Sequence, residues 1–185
     1  MTMSRFSLSQ CLARLRRDES GVSAVEFAML LPLMLTLYLG AVEISQAVGV
    51  DRKVTLTTRT VADLASQATT INNTDMSNLL NASAAVIIPY STTNGQLKVT
   101  VSEVDVDANG TAKIAWSDTL GGTARAKGAT VTLPAALNVA NTSLIWGEVS
   151  YTYTPTIGYV VTGSLNLSDQ IYMRPRLSNT VSRVP

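Results

Sequence analysis

An apolar stretch near the N-terminus constrains the fold of this chain more than any other feature. It runs from Val22 to Val42, 21 residues with Glu26 as their only interior charge before Glu43. A helix needs about 20 apolar residues to cross a bilayer. An acid at the centre of such a helix costs on the order of 2.5–3.5 kcal/mol. The stretch therefore predicts a membrane-spanning helix and makes Glu26 a candidate functional residue with a partner to be found.

The charges around this stretch predict its orientation. Four arginines precede it, against two acids: Arg5, Arg14, Arg16 and Arg17, with Asp18 and Glu19. Basic residues stay on the cytoplasmic side of membrane helices, so we expect the N-terminus in the cytoplasm and the remainder exported. The formal net charge of the whole chain is only +1, which argues against a nucleic-acid-binding protein.

The residue types that most often carry chemistry are missing after the apolar stretch. The chain has no histidine, and its one cysteine, Cys11, lies in the basic leader. Histidine and cysteine, which supply the commonest nucleophiles, general bases and metal ligands, are therefore absent from the exported part. We expect no cofactor, no metal and no enzymatic activity. Asp105 and Asp107 leave carboxylate chemistry open, although they lie beside a turn, where a solvated hairpin or a weak cation site is the other interpretation.

The apolar stretch continues into an amphipathic helical pattern. Apolar residues recur at helical spacing: Val50, Val54, Val61, Leu64, Ala65 and Ala68. We predict one continuous helix from about residue 22 to about 69, with residues 22–43 spanning the membrane. Residues 44–70 then form an amphipathic extension that serves as the spine of an exported domain.

The exported domain, residues 71–185, is predicted to be α+β. Thr74 or Asp75 can cap a short helix from Met76 to about Val86. Alternating apolar residues then indicate about four antiparallel strands, at 97–106 with a bulge near Ser102–Glu103, from 112 onward, at 144–153 and at 164–173. Such a small sheet needs a helix over its apolar face, which the amphipathic extension supplies.

Two further patterns in the exported domain have structural interpretations. The stretch GGTARAKG at 121–128 lacks the ending of a phosphate-binding loop, so a surface loop is favoured. Tyr151 and Tyr153 alternate on one strand and are interpreted as core or sheet aromatics, with ligand stacking as the alternative.

A basic leader, then Gly21, then Glu26 and Phe27 opening a membrane helix, resembles a type IV pilin precursor. The segment ESGVSAVEFAMLLPLMLTLYLGAVEI resembles more closely the TadE-like minor pilins (pseudopilins) of the tight-adherence, or Flp, pilus system. The C-terminal segments LPAALNVANTSLIWGEVSYTYTPTIGY and LNLSDQIYMRPRL are similar to that family as well, whereas residues 70–130 match it poorly.

This resemblance implies a maturation step and a role. In the family a prepilin peptidase cuts after the glycine, here between Gly21 and Val22, and removes the leader, residues 1–21. Glu26 would pair with the new amine of Val22, its own or that of a neighbouring subunit, and Glu26 with Phe27 would serve recognition and assembly.

The implied partners are the peptidase, other pilin-like subunits, the inner-membrane assembly machinery and the lipid bilayer, with no nucleic acid and no small-molecule substrate. The implied location is the inner membrane with a periplasmic C-terminal domain, or the pilus itself.

Two other interpretations stay open from the residues. One is a membrane-anchored periplasmic scaffold or binding protein that is not processed and is indifferent to Glu26. The other is a secreted domain released after Ala47, since Ser45-Gln46-Ala47 fits a small-x-small cleavage site.

Overall fold

A single long helix, α1, organises the molecule. The computed structural model describes residues 20–155, 157–158 and 163–185. Within them α1 extends over Ser20–Ser66, 47 residues, and passes through Pro32 without ending. The predicted continuous helix is thus confirmed. Leader residues 1–19, with Cys11 and the four arginines, lie outside the described residues.

The two halves of α1 differ in what surrounds them. No residue from Gly21 to Leu39 is buried, whereas Gly40 and Glu43 are. Beyond them, one face of the helix is covered completely at Val50, Val54, Val61, Ala62 and Ala65. Of the apolar residues predicted for this face, Val50, Val54, Val61 and Ala65 are buried, whereas Leu64 is 40% exposed and Ala68 is partly buried. The buried face places the C-terminal half of α1 in the core of the domain.

A second helix and a sheet pack around this C-terminal half of α1. Helix α2 spans Asn73–Ile87 and is capped by Asn72, whose side chain accepts a hydrogen bond from the backbone N–H of Asp75. The expectation of Thr74 or Asp75 as the cap is therefore wrong, because the helix begins earlier than its apolar pattern does. The Lys53 ammonium donates to the carbonyl of Val86, so α2 ends beside the middle of α1.

Seven strands complete the fold of the part of the chain that the structure describes. They are β1 (Thr70–Ile71), β2 (Leu97–Val106), β3 (Ala112–Leu120), β4 (Thr130–Val131), β5 (Thr142–Tyr153), β6 (Leu165–Met173) and β7 (Ser182–Arg183). Five form an antiparallel sheet in the order β4-β3-β2-β5-β6, and β1 pairs with β7 in parallel. The α+β class and the four long strands are confirmed, with the two-residue β4 added at one edge.

The sheet carries one apolar cluster on each face. Leu97, Val99 and Val101 of β2 pack in the cluster that includes α1 and α2. Val104 and Val106 pack on the opposite face, in a second cluster with Trp146. The parity change in β2 therefore marks a change of covered face. The predicted bulge is present between Glu103 and Val104, but the extra residue belongs to β3, since Trp116 and Ile114 pair with these two residues.

Strand β5 runs antiparallel to α1 and in close contact with it. At its middle, a Cβ added to Gly147 would lie 2.9 Å from the Cβ of Ala62, so only glycine permits this approach. At its end, the Tyr153 hydroxyl is 3.1 Å from Oε1 of Gln46. The C-terminal end of β5 therefore points back toward the apolar half of α1.

Candidate functional site

The predicted processing and assembly residues all lie in the first two turns of α1. Gly21, Val22, Glu26 and Phe27 are exposed. A Cβ built on Gly21 meets no atom within 4 Å, so packing within the described chain does not require glycine at this position. The bond between Gly21 and Val22 lies in the first helical turn, where helix ends fray most readily.

Helical geometry brings Val22 and Glu26 to one face. Four residues span about 6 Å along a helix axis, the spacing at which side chains meet. The structure thus places the Glu26 carboxylate one turn from the nitrogen that cleavage would free. Phe27 follows it on the adjoining face of the same turn.

The apolar half of α1 is a surface that faces outward. Among the described residues, α1 is the helix long and apolar enough to cross a membrane. From Gly21 to Leu39 it carries one charged residue, Glu26, and none of these residues is buried. A core helix of a soluble protein would be mostly covered, so this surface suggests single-pass membrane anchoring.

Where the helix enters the domain, the structure adds a residue that sequence reasoning passed over. Glu43 is 1% exposed, directly after the apolar stretch. Glu43 also lies near Tyr153. The pKa of the Tyr153 hydroxyl is raised mainly by burial, and Tyr90 and Glu43 raise it further. The signal in the sequence that could have identified Glu43 is its position, since it is an acid at the end of the apolar stretch.

A second buried acid, Glu103, lies at the other end of the domain and was also missed. It is 2% exposed and accepts hydrogen bonds from Nε1 of Trp116 at 2.7 Å and from the backbone N–H of Val181 at 2.6 Å. Burial raises the pKa of Glu103 to about 7, with Asp105 adding to the rise and the two hydrogen bonds opposing it. Only the fold brings residues 103, 116 and 181 together.

The same region fastens the C-terminal segment. The Arg183 guanidinium bonds the carboxylate of Asp118 at 2.9 Å, the carbonyl of Ile71 and Oδ1 of Asn73 at 2.6 Å. Together with Glu103, these contacts hold β7 against β1 and the sheet. Because the side chains of Glu103 and Arg183 both bond to other groups of the protein, this region stabilises the fold.

The remaining candidates from the sequence have structural roles. Asp107 accepts from the backbone N–H groups of Asn109 and Thr111 in its turn, and Asp105 accepts from the Ser143 hydroxyl. These two carboxylates do not form a shared site. Tyr151 and Tyr153 are buried in the core, as interpreted.

In the glycine-rich segment, Arg125 lies 3.8 Å from the ring centroid of Trp146 and pairs with Glu148. This arginine is thus engaged on the outer face of the sheet, as a surface loop packed on the domain would place it. No group of three or more potential metal ligands occurs among the described residues.

An exposed apolar helix near the N-terminus thus continues as the spine of a small α+β domain. The model of the family described as TadE-like protein matches residues 21–63, which is α1 from Gly21 almost to its end. This match supports the resemblance found in the sequence, which is to the TadE-like proteins of the Tad pilus system. TadE-like proteins are generally structural. No curated protein and no solved structure matches the chain.

Proposed function

We propose that this chain is the precursor of a minor pilin, or pseudopilin, of the tight-adherence (Flp) pilus. A prepilin peptidase cleaves it after Gly21, and the mature chain packs its apolar helix against other pilin-like subunits. The observation that carries the proposal is the outward-facing apolar half of α1, fused without a break to a folded domain. Residues 1–21 are then the leader, 22–43 the membrane span, 44–70 its extension and 71–185 the exported domain.

The proposed location follows from the charges. The arginine-rich leader stays in the cytoplasm, and the exported domain lies in the periplasm above the inner membrane. After incorporation into a pilus, the apolar half of α1 exchanges its lipid contacts for contacts with neighbouring helices. The inner-membrane assembly machinery is the partner for this transfer.

Glu26 has a role in this assembly because placing its charge in lipid costs free energy, which a partner of opposite charge offsets. The amine of Val22, freed by cleavage and one turn away, is a partner of opposite charge. The amine of a neighbouring subunit is another. Either pairing offsets part of the desolvation cost, and only the second would set the stagger between subunits.

The cleavage site is tested by the intact mass of the protein recovered from membranes. We expect a mature chain that begins at Val22, formed only when the cognate peptidase is present. Gly21→Val should block processing without disturbing the fold, because a side chain at this position meets open space. Ser23→Val, two residues away on the same exposed turn, is the matched control and should still yield a chain that begins after Gly21.

A recovered chain that begins at Met1 in the presence of the peptidase would contradict the proposal and favour the unprocessed scaffold. A chain that begins at Val48 would favour the secreted domain. That cut would divide α1 within the section packed on the sheet and remove Gln46, the partner of Tyr153.

Glu26 is tested in cells that carry the whole pilus system. Glu26→Gln keeps the shape of the side chain and removes its charge, so we expect membrane insertion and cleavage to persist while piliation falls. Met29→Ala, also exposed and one turn further along α1, controls for a general disturbance of this surface. Normal piliation by the Glu26→Gln variant would refute the pairing role.

A further inference from the structure

The end of the exported domain nearest the apolar half of α1 is free of charge apart from Glu43. In sequence, Glu43 is the single charge between Glu26 and Asp51, none occurs between Asp75 and Lys98, and none between Glu148 and Asp169. Glu43 itself is buried. Among the described residues, the fold brings the part of each stretch nearest the apolar half of α1 to one end of the molecule, whereas α2, within the second stretch, extends away from it toward Asn73.

Contacts with α1 establish that common level. The loop after α2 lies beside Gly49, since a Cβ added to Gly49 would be 3.0 Å from the hydroxyl oxygen of Tyr90 in that loop. The same loop accepts a hydrogen bond from Tyr151 at the carbonyl of Ser91. Tyr153 of β5 reaches Gln46, and Leu165 of β6 pairs with Tyr153. We call this end the collar: described residues 40–50, 88–96, 151–155, 157–158 and 163–167.

The charges resume together at the upper boundary of the collar. On α1 they begin at Asp51, Arg52 and Lys53; on the sheet they begin at Lys98, which pairs with Ser150, and at Asp169, which pairs with Val149. From Gln46 to Lys53 the helix rises about 10 Å, and from Tyr153 to Ser150 the strand spans about 10 Å as well. On α1, β2 and β6 the uncharged zone thus ends at about one height, whereas α2, whose one charged residue is Asp75, is uncharged above that height as well.

The length of the exposed helix places the collar at the bilayer surface. Gly21 to Gly40 is 20 residues, about 30 Å of helix, which matches the hydrocarbon thickness of a membrane. Burial against the domain begins at Gly40 with no linker in between. Headgroups occupy a further 5–8 Å or so on each side, so the lower part of the collar falls within that layer.

Exposed apolar residues occur in the collar. Ile88 is 62% exposed and Ile157 is 49% exposed. Ile157 follows Tyr153 by four residues, a reach of up to about 13 Å, and Gln46 is about 9 Å of helix above Gly40. Ile157 is therefore within reach of the bilayer boundary. Tyrosine, the aromatic residue of this layer together with tryptophan, is present at Tyr90 and, exposed just below the collar, at Tyr38.

We propose that the collar is a lipid-contact surface, by which the exported domain rests in the headgroup layer with Ile157 directed into it. The proposal depends on the membrane anchoring that the proposed function includes. A lipid occupant is favoured over a second protein because the collar is continuous with the membrane-spanning helix, lacks exposed charge and begins at the height where the hydrocarbon ends.

The test uses the full-length protein with Cys11→Ser, reconstituted in phosphatidylcholine vesicles with one fluorescent label per molecule. The label is attached at Ile157→Cys, at Leu177→Cys as the matched control, or at Tyr38→Cys. Leu177 is 70% exposed at the far end of the domain, since its neighbour Arg176 bonds the carbonyl of Ser66. Quenching by spin-labelled lipid headgroups is compared with quenching by aqueous iodide.

We expect lipid quenching at Ile157 to exceed that at Leu177 by about threefold or more, since an interfacial group lies within the quencher layer. Equal, mainly aqueous quenching at both positions would overturn the lipid-contact surface. Protection of Ile157 from both quenchers that disappears as the protein is diluted in lipid would also overturn it, in favour of a second copy. If Tyr38 is not quenched by lipid probes either, the anchoring itself fails, which separates the two proposals.

Discussion

At the scale of single residues, the sequence reveals one unusual acid, Glu26, but not the buried acid Glu103. Glu26 stands out in the sequence because it interrupts an apolar stretch. Glu103 does not, because an acid in a strand of alternating residues looks like an ordinary solvent-facing position. Its burial depends on Trp116 and on Val181, 78 residues further along, so no local pattern could identify it.

The acid at Glu103 makes the domain's stability depend on pH. Its pKa is about 7 in the folded chain and near 4.5 when unfolded. Between these values the folded chain retains a proton that the unfolded chain has released, so stability falls as pH rises through this window. The difference corresponds to about 3 kcal/mol. Denaturant unfolding in detergent from pH 4.5 to 8, followed by tryptophan fluorescence, measures it.

Glu103→Gln should flatten that pH dependence, since the titrating group is gone. Glu148→Gln, at a half-buried carboxylate on the same sheet, retains Glu103 and is expected to keep the slope. Equal slopes in the wild-type chain and the Glu103→Gln variant would show that Glu103 is not the group responsible.

At the scale of elements, the sequence predicts the helices and strands in which apolar residues recur at a regular spacing. It misses the elements that form only by pairing with residues distant in the sequence. The helix of α1, the four long strands and the bulge position all follow from apolar spacing. Strands β1, β4 and β7 have two residues each and carry no periodic signal. The second apolar cluster was missed as well, because its cover includes Leu133, in a segment without regular alternation.

The C-terminal segment offers a test of such pairing. Arg183 and Arg176 each form an ion pair, with side chains 19% and 57% exposed. Arg183→Gln leaves Asp118 poorly compensated and should destabilise the domain by about 1–3 kcal/mol. Arg176→Gln should cost less than about 1 kcal/mol, because exposed pairs are screened by water.

Amide hydrogen exchange of residues 70–71 and 182–183 distinguishes these variants. We expect faster exchange in Arg183→Gln and little change in Arg176→Gln. The same protection in both variants would mean that the backbone pairing of β1 and β7 holds the segment without the arginine.

At the scale of the whole molecule, α1 continues without a break from its exposed apolar half into the folded domain, so we expect the two parts to move as one rigid body. Spin labels at Tyr38→Cys and Leu64→Cys, with Cys11→Ser, are separated by 26 residues of helix. We expect one narrow distance distribution centred at about 39 Å plus the contribution of the label arms. Two glycines inserted after Val48 should broaden it. A broad distribution in the protein without the insertion would reveal a hinge that α1 does not show.

An unbroken α1 has a mechanical consequence. Any twist or tilt applied to its exposed apolar half would turn the sheet packed on its other half through the same angle. Under the proposed membrane anchoring, a partner that binds the apolar half of α1 within the bilayer would therefore reorient the folded domain without contacting it.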